Sequence, residues 1–323
     1  MYFGSVRFFK NMILLAVIIL ITVPTVLAIR WGTALHREQD AYQCLASEME
    51  QQRLSYQEEL DQMAALETAA EMALTEMIQK QAEEEAAKAP TPEMIAYQEM
   101  YPDFYAPQEL NAVNNEKNVI YLTFDDGPSH RTPEILEILR EKNVKATFFV
   151  VGQTSEERLQ WMKQIVDEGH TIGMHTYSHQ YKKMYASVEA YLEDMYAIFT
   201  QIRETTGVTP TVFRFAGGSI NNHNHAVYQE INAEMLRRGF VPHDWNIASA
   251  DAGSETLSSA QILYNVVSGA KNKERGVVLM HDSEYKYTTV EALPAMIDQL
   301  LEMGFKLEGL RPDTQPILFS YPD

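Results

Sequence analysis

Residues 118–151 read NVIYLTFDDGPSHRTPEILEILREKNVKATFFVV. Residues 119–124 form an apolar, β-rich run, and Thr132-Pro133-Glu134 then opens a helix that continues through Leu139. Thr132 is expected as its N-cap, with Pro133 in the first turn, where a missing N–H costs nothing. Residues 145–151, KATFFVV, read as a second strand. The same alternation continues downstream. Helices are expected at 157–168, 187–206, 226–238, 258–271 and 289–303, and extended segments at 171–174, 211–215, 241–248, 277–280 and 306–310. Alternating strands and helices predict a parallel sheet with helices outside. About seven such pairs exceed a small open sheet and approach a (β/α) barrel, whose chemistry gathers at the C-terminal strand ends.

Upstream of this domain the sequence changes character twice. Residues 12–29, MILLAVIILITVPTVLAI, are uncharged, preceded by Arg7 and Lys10 and followed by Arg30. Their length just suffices to cross a bilayer. Read as a signal anchor, the segment is retained with its basic end in the cytoplasm. Read as a cleavable signal, it is cut after Val26-Leu27-Ala28. Either way the rest is exported.

Residues 35–89 lack Gly and, up to Pro90, lack Pro. Leu60, Met63, Ala70, Leu74 and Met77 follow a broken 3-4 spacing, which Glu67 interrupts. This predicts a long helical stalk, either solvated and single or paired as a coiled-coil homodimer. It would reach roughly 80 Å at about 1.5 Å per residue. The expected layout is a transmembrane helix at 1–30, the stalk at 31–90, a linker at 91–117 and a catalytic domain at 118–323.

Bulk composition excludes some classes. The net charge of −19 with only 26 Lys and Arg makes nucleic acid an unfavourable partner. The single cysteine, Cys44, supports neither an internal disulfide nor a cysteine zinc site, though it leaves a disulfide between paired stalks open.

Polar residues cluster where strands end. Asp125 and Asp126 follow the first strand in Thr123-Phe124-Asp125-Asp126-Gly127-Pro128. Adjacent carboxylates face different ways, so one can bind a metal while the other takes a proton. His175 and His179 bracket His-Thr-Tyr-Ser-His after the third strand, four residues apart on one face if helical. Two His and one Asp give three ligands and leave a position for water. Arg214 precedes Gly217 and Gly218 and can hold a carboxylate, while the glycine N–H groups can serve an oxyanion. Asp251 and His281, in Leu279-Met280-His281, suit an Asp-oriented general acid.

Together these residues resemble the polysaccharide deacetylase family, also called the NodB-homology domain or carbohydrate esterase family 4, over roughly residues 118–310. Its five motifs appear here in order. The resemblance implies a distorted (β/α) barrel and makes Asp125 the base and Asp126, His175 and His179 the metal ligands. It further implies that Arg214 orients the base, that Gly217 helps bind the oxyanion, and that Leu279 lines the acetyl pocket. Asp251 would tune the acid His281. The implied cofactor is a divalent metal, zinc first, with cobalt or nickel also accepted.

Ala216 and Ala252 depart from the family's usual Pro and Trp, the first expected to loosen the oxyanion loop and the second to reshape the acetyl groove. The implied substrate is an acetylated cell-wall polysaccharide, with peptidoglycan N-acetylglucosamine foremost. Acetylated xylan and a catalytically silent glycan-binding role are the alternatives.

Overall fold

The computed structural model describes residues 6–88, 95–107, 113–253 and 256–320. The chain divides into two compact units, Met1–Pro92 and Glu93–Asp323.

Among the described residues the first unit holds one helix, α1 (Val6–Lys88). Its stretch Val6–Thr33 has a mean hydropathy of 2.9 and is long and apolar enough to cross a membrane. Pro24 lies within it and offers no N–H to the carbonyl one turn back. The Thr22 and Thr25 hydroxyls donate to the carbonyls of Ile18 and Ile21, so these polar groups are satisfied within the helix. The side chains of Cys44, Leu60, Ala70, Leu74 and Met77, on which stalk pairing was expected to rest, lie outside the described residues, as does the break at 89–92.

The second unit is a parallel sheet wrapped by helices. Its strands are β1 (Val119–Asp125), β2 (Thr147–Val151), β3 (Thr171–Thr176), β4 (Val212–Phe213), β5 (Val241–Pro242), β6 (Ile247–Ala248), β7 (Arg275–His281) and β8 (Lys306–Leu307). Between them run α2 (Thr132–Glu141), α3 (Glu156–Asp167), α4 (Tyr181–Met184), α5 (Val188–Thr206), α6 (Tyr228–Arg237), α7 (Ser259–Ala270) and α8 (Tyr287–Glu302). The strand order is β5-β4-β3-β2-β1-β7-β6, and β8 pairs with the first two residues of β1.

β5 and β6 are the two ends of that order, yet only residues 243–246 separate them. Such a connection spans at most about 17 Å at about 3.4 Å per residue. The sheet is therefore curled until its edges nearly meet, the barrel expected from the strand–helix alternation.

Alternation along β1 divides the core. Ile120, Leu122 and Phe124 pack outward under the helices. Val119 and Tyr121 join Phe149, Val212, Val241, Val277 and Leu310 inside the curl. With a period of two, Thr123 and Asp125 continue the inward set, which carries a carboxylate to the C-terminal mouth.

Two expectations need correction. Thr132 lies inside α2 rather than capping it, and the N-cap position is Arg131. The Thr132 hydroxyl donates instead to the buried Asp282 carboxylate at 2.6 Å and accepts from the Ser129 N–H. Residues 95–106, expected within a linker, contribute Tyr97 and Phe104 to the core. The reason is Arg238, which is buried at the end of α6 and paired with Glu234 at 2.6 Å. Its guanidinium donates to the carbonyls of Tyr97, Met100, Tyr101 and Phe104 at 2.9–3.3 Å, fixing this segment to the domain.

Candidate active site

The C-terminal ends of β1, β3, β4 and β7 open on one cleft of about 500 Å³, lined by Asp125, Asp126, His175, His179, Gly217, Leu279 and His281. Arg214 and Asp251 lie buried behind it.

Asp125 is buried and paired with Arg214 Nη1 at 2.8 Å. Arg214, itself fully buried, also donates to Thr123 Oγ1 and to the carbonyls of His243 and Asp244. Its guanidinium lies 4.3 Å from the centre of the Phe149 ring. One side chain thereby holds Asp125 and ties down the segment that closes the barrel. A guanidinium with this many partners cannot rotate away, so the carboxylate has a fixed bearing.

Asp126, His175 and His179 present ligand atoms within 4.8 Å of one another. Asp126 Oδ1 is 3.5 Å from His175 Nε2 and 3.2 Å from His179 Nε2. The Nδ1 of His175 lies 2.9 Å from the Arg214 carbonyl, which can only accept, so Nδ1 carries the proton. In the neutral ring Nε2 is then a lone pair turned toward a carboxylate oxygen that is buried without a hydrogen-bond donor. Lone pairs converging in this way repel unless a cation lies between them, so the donor set fits a divalent metal. Asp126 and His179 both have left-handed backbones, at φ 72° and 51°. That conformation costs a non-glycine residue on the order of 1 kcal/mol or more and is typical of constrained sites.

His281 Nδ1 lies 2.7 Å from Asp251 Oδ1, and its backbone N–H donates to Oδ2 at 2.9 Å. Ser249 and Thr289 hydroxyls also donate to Asp251. The pairing puts the proton on Nδ1 and leaves Nε2 for the cleft. Burial lowers the His281 pKa, but the charge of Asp251 and the nearby Asp125 and Asp126 outweigh it, and the pKa is raised.

Gly217 has φ 79°, and a Cβ there would sit 2.9 Å from the Tyr181 ring, so the turn requires glycine. The Ala216 carbonyl accepts from Tyr185 Oη at 2.8 Å and Asn221 Nδ2 at 3.1 Å, so this loop is held by hydrogen bonds where a proline was missing. Ala252 and the buried Leu279 both line the cleft.

Sequence reasoning missed several supports. Asp194, on α5, accepts from Thr176 Oγ1 and from the N–H groups of Tyr177 and Ser178, bracing the loop between the two histidines. Its signal was available, since it stands on the apolar stripe of Tyr191, Met195 and Ile198, where a carboxylate needs a partner. Asp282, fully buried, accepts from Ser129 Oγ and Thr132 Oγ1, and a Cβ on Gly127 would collide with its carboxylate. It locks the turn that carries Asp126. Tyr181, Trp245, Ser283 and Lys286 also line the cleft, and no spacing in the sequence indicates this.

A parallel, curled (β/α) barrel carries, at one mouth, a His-His-Asp donor set beside an Arg-held carboxylate and an Asp-held histidine, an arrangement suited to hydrolysis. Comparison with known proteins gives the family. Residues 112–236 match the family model described as polysaccharide deacetylase. A peptidoglycan-N-acetylglucosamine deacetylase of Bacillus cereus is 33% identical over 66% of this chain and 77% of its own length. The bifunctional xylanase/deacetylase of Pseudobutyrivibrio xylanivorans is 32% identical over 65% of this chain and 34% of its own. The catalytic domain of the peptidoglycan N-acetylglucosamine deacetylase from Eubacterium rectale superposes with a TM-score of 0.62 at 31% identity, covering 66% of this chain and 97% of that one. The chain belongs to the polysaccharide deacetylase family.

Proposed function

We propose that this protein is a metal-dependent deacetylase that removes N-acetyl groups from peptidoglycan N-acetylglucosamine outside the cytoplasm, held at the membrane by α1. The convergence of the Asp125–Arg214 pair, the Asp126–His175–His179 set and the Asp251–His281 pair on one cleft carries this reading. The domain is proposed to run from Glu93, with the segment before it serving as anchor and stalk. The N-acetyl and peptidoglycan assignments follow the names of the Bacillus cereus and Eubacterium rectale relatives.

Asp126, His175 and His179 would hold the metal. A divalent ion there supplies Lewis acidity and makes a water molecule a stronger acid. Asp125, aimed by Arg214, takes a proton from water. Gly217 offers its N–H toward the oxygen that gains charge as the acetamide carbon becomes tetrahedral. His281, protonated and held by Asp251, gives its Nε2 proton to the departing sugar amine. Leu279 packs against the acetyl methyl. The products are acetate and a free amino sugar. A second reading, O-deacetylation of a plant glycan, draws on the xylanase/deacetylase relative and uses the same groups.

Acetate release by the full chain in detergent, from peptidoglycan, N-acetylglucosamine oligomers and acetylated xylan, with zinc and with a chelator, tests the reading. Chelator-sensitive release from the first two supports it, and release from xylan alone overturns it. In the same assay Asp125→Asn is expected to lose on the order of 10²–10⁴ in kcat while still binding zinc. Normal turnover by that variant would remove Asp125 from its role.

A further inference from the structure

Tyr181 opens α4 two residues beyond His179, and its ring meets that imidazole edge to face with centroids 5.2 Å apart. It also packs on His223 at 5.1 Å and on Tyr185 at 6.1 Å, so three rings set its bearing. The side chain lines the cleft with Asp125, Asp126 and His281. A Cβ on Gly217 would stand 2.9 Å from Tyr181 Cε1 and 3.3 Å from its hydroxyl oxygen. Glycine at 217 and tyrosine at 181 are therefore matched, because the phenol end fills the space a side chain on 217 would take. Among the described residues no hydrogen bond reaches the Tyr181 hydroxyl. The donors around it are committed. Asn221 Nδ2 donates to the carbonyls of Ala216 and Gly218, and the Tyr185 hydroxyl donates to that of Ala216. Arg214 is occupied by Asp125, Thr123 and two carbonyls. A phenol carries one O–H donor, and a donor left open against the glycine of the oxyanion loop suits the same oxygen.

We propose that Tyr181 is a second oxyanion donor, whose hydroxyl donates to the acetyl carbonyl oxygen as that oxygen gains charge, alongside the Gly217 N–H. The proton stays on the phenol throughout, and no bond to the tyrosine forms or breaks. The proposal rests on the deacetylase reading above. It holds for an N-acetyl or an O-acetyl group alike, since both present the same carbonyl.

Two probes that need no particular glycan test it on the zinc-loaded full chain. Methylphosphonate, tetrahedral at phosphorus with one methyl group and anionic oxygens, stands in for the charged intermediate, and its binding is titrated calorimetrically. Hydrolysis of para-nitrophenyl acetate reports turnover. Tyr181→Phe keeps the ring that packs against Gly217 and removes only the hydroxyl. The variant is expected to bind methylphosphonate roughly tenfold more weakly, as for a lost hydrogen bond to a charged group. It should lose on the order of 10² in kcat with KM nearly unchanged, and bind zinc as the wild type does. Equal methylphosphonate affinity in the two proteins, or no binding by the wild type, overturns the proposal. A fall in zinc affinity overturns it too, because the tyrosine would then act through His179. A wild type that binds methylphosphonate but hydrolyses no acetate ester fails the deacetylase reading, and the difference in methylphosphonate affinity still decides for or against the tyrosine.

Discussion

Asp251 meets His281 through both of its oxygens, and this doubled contact fixes the ring's tautomer as well as its charge. Because the carboxylate's charge holds the His281 pKa up, the ring stays protonated, and able to act as an acid, to higher pH than an unpaired histidine. Asp251→Asn removes that charge. The alkaline limb of the kcat/KM profile is then expected to move to lower pH, and an unmoved limb would detach Asp251 from the acid. Asp282 also holds its proton more tightly, but through burial, which favours its neutral form. Burial pushes its pKa up from 3.8 to about 7, so the folded protein holds this proton more tightly than the unfolded chain does. Its ionisation opposes folding as the pH climbs from about 4 to about 7. Asp282→Asn lacks the ionisation, so the Tm of the wild type should fall relative to the variant across that window. Parallel melting curves would show that the carboxyl is not kept neutral.

At the scale of elements, α5 does more than cover the sheet. Its buried Asp194 collects three donors from the loop between His175 and His179, so a helix outside the cleft sets where the two histidines stand. Asp194→Asn replaces a side chain with two acceptor oxygens by an amide with one. Zinc affinity, measured by competition with a chelating dye, is expected to drop roughly 10- to 100-fold with the fold retained. Unchanged affinity would mean the loop is held by its own backbone. β1 plays a comparable part, since its inward alternation delivers Thr123 and Asp125 to Arg214 while its other face builds the core.

For the whole molecule, the boundary of the catalytic unit matters most. Tyr97 and Phe104 are core residues, and four carbonyls of their segment satisfy the buried Arg238. A form beginning at Asn118 would expose that core and leave a buried guanidinium short of acceptors, a loss of several kcal/mol. Thermal unfolding followed by circular dichroism should give a cooperative transition for a form beginning at Glu93. The form beginning at Asn118 should show a much lower one or none, and equal midpoints would return the segment to the status of a linker.

The alternation of strand and helix, the apolar N-terminal run and the strand-end polar residues were all legible in the sequence. Each depends on local periodicity or on motif spacing, which a linear chain carries in full. That made Asp125, Asp126, His175, His179, Arg214, Asp251 and His281 readable as a set. The supporting residues were not, because their partners are distant in sequence: Asp282 acts on a turn some 150 residues earlier, and Arg238 on a segment more than 130 residues earlier. The closing of the sheet by residues 243–246, the bracing by Asp194 and the turn of Lys286 into the cleft likewise arise only when the barrel curls. Folding brings remote donors and acceptors together there, and a buried polar group must then find its partner wherever in the chain that partner lies.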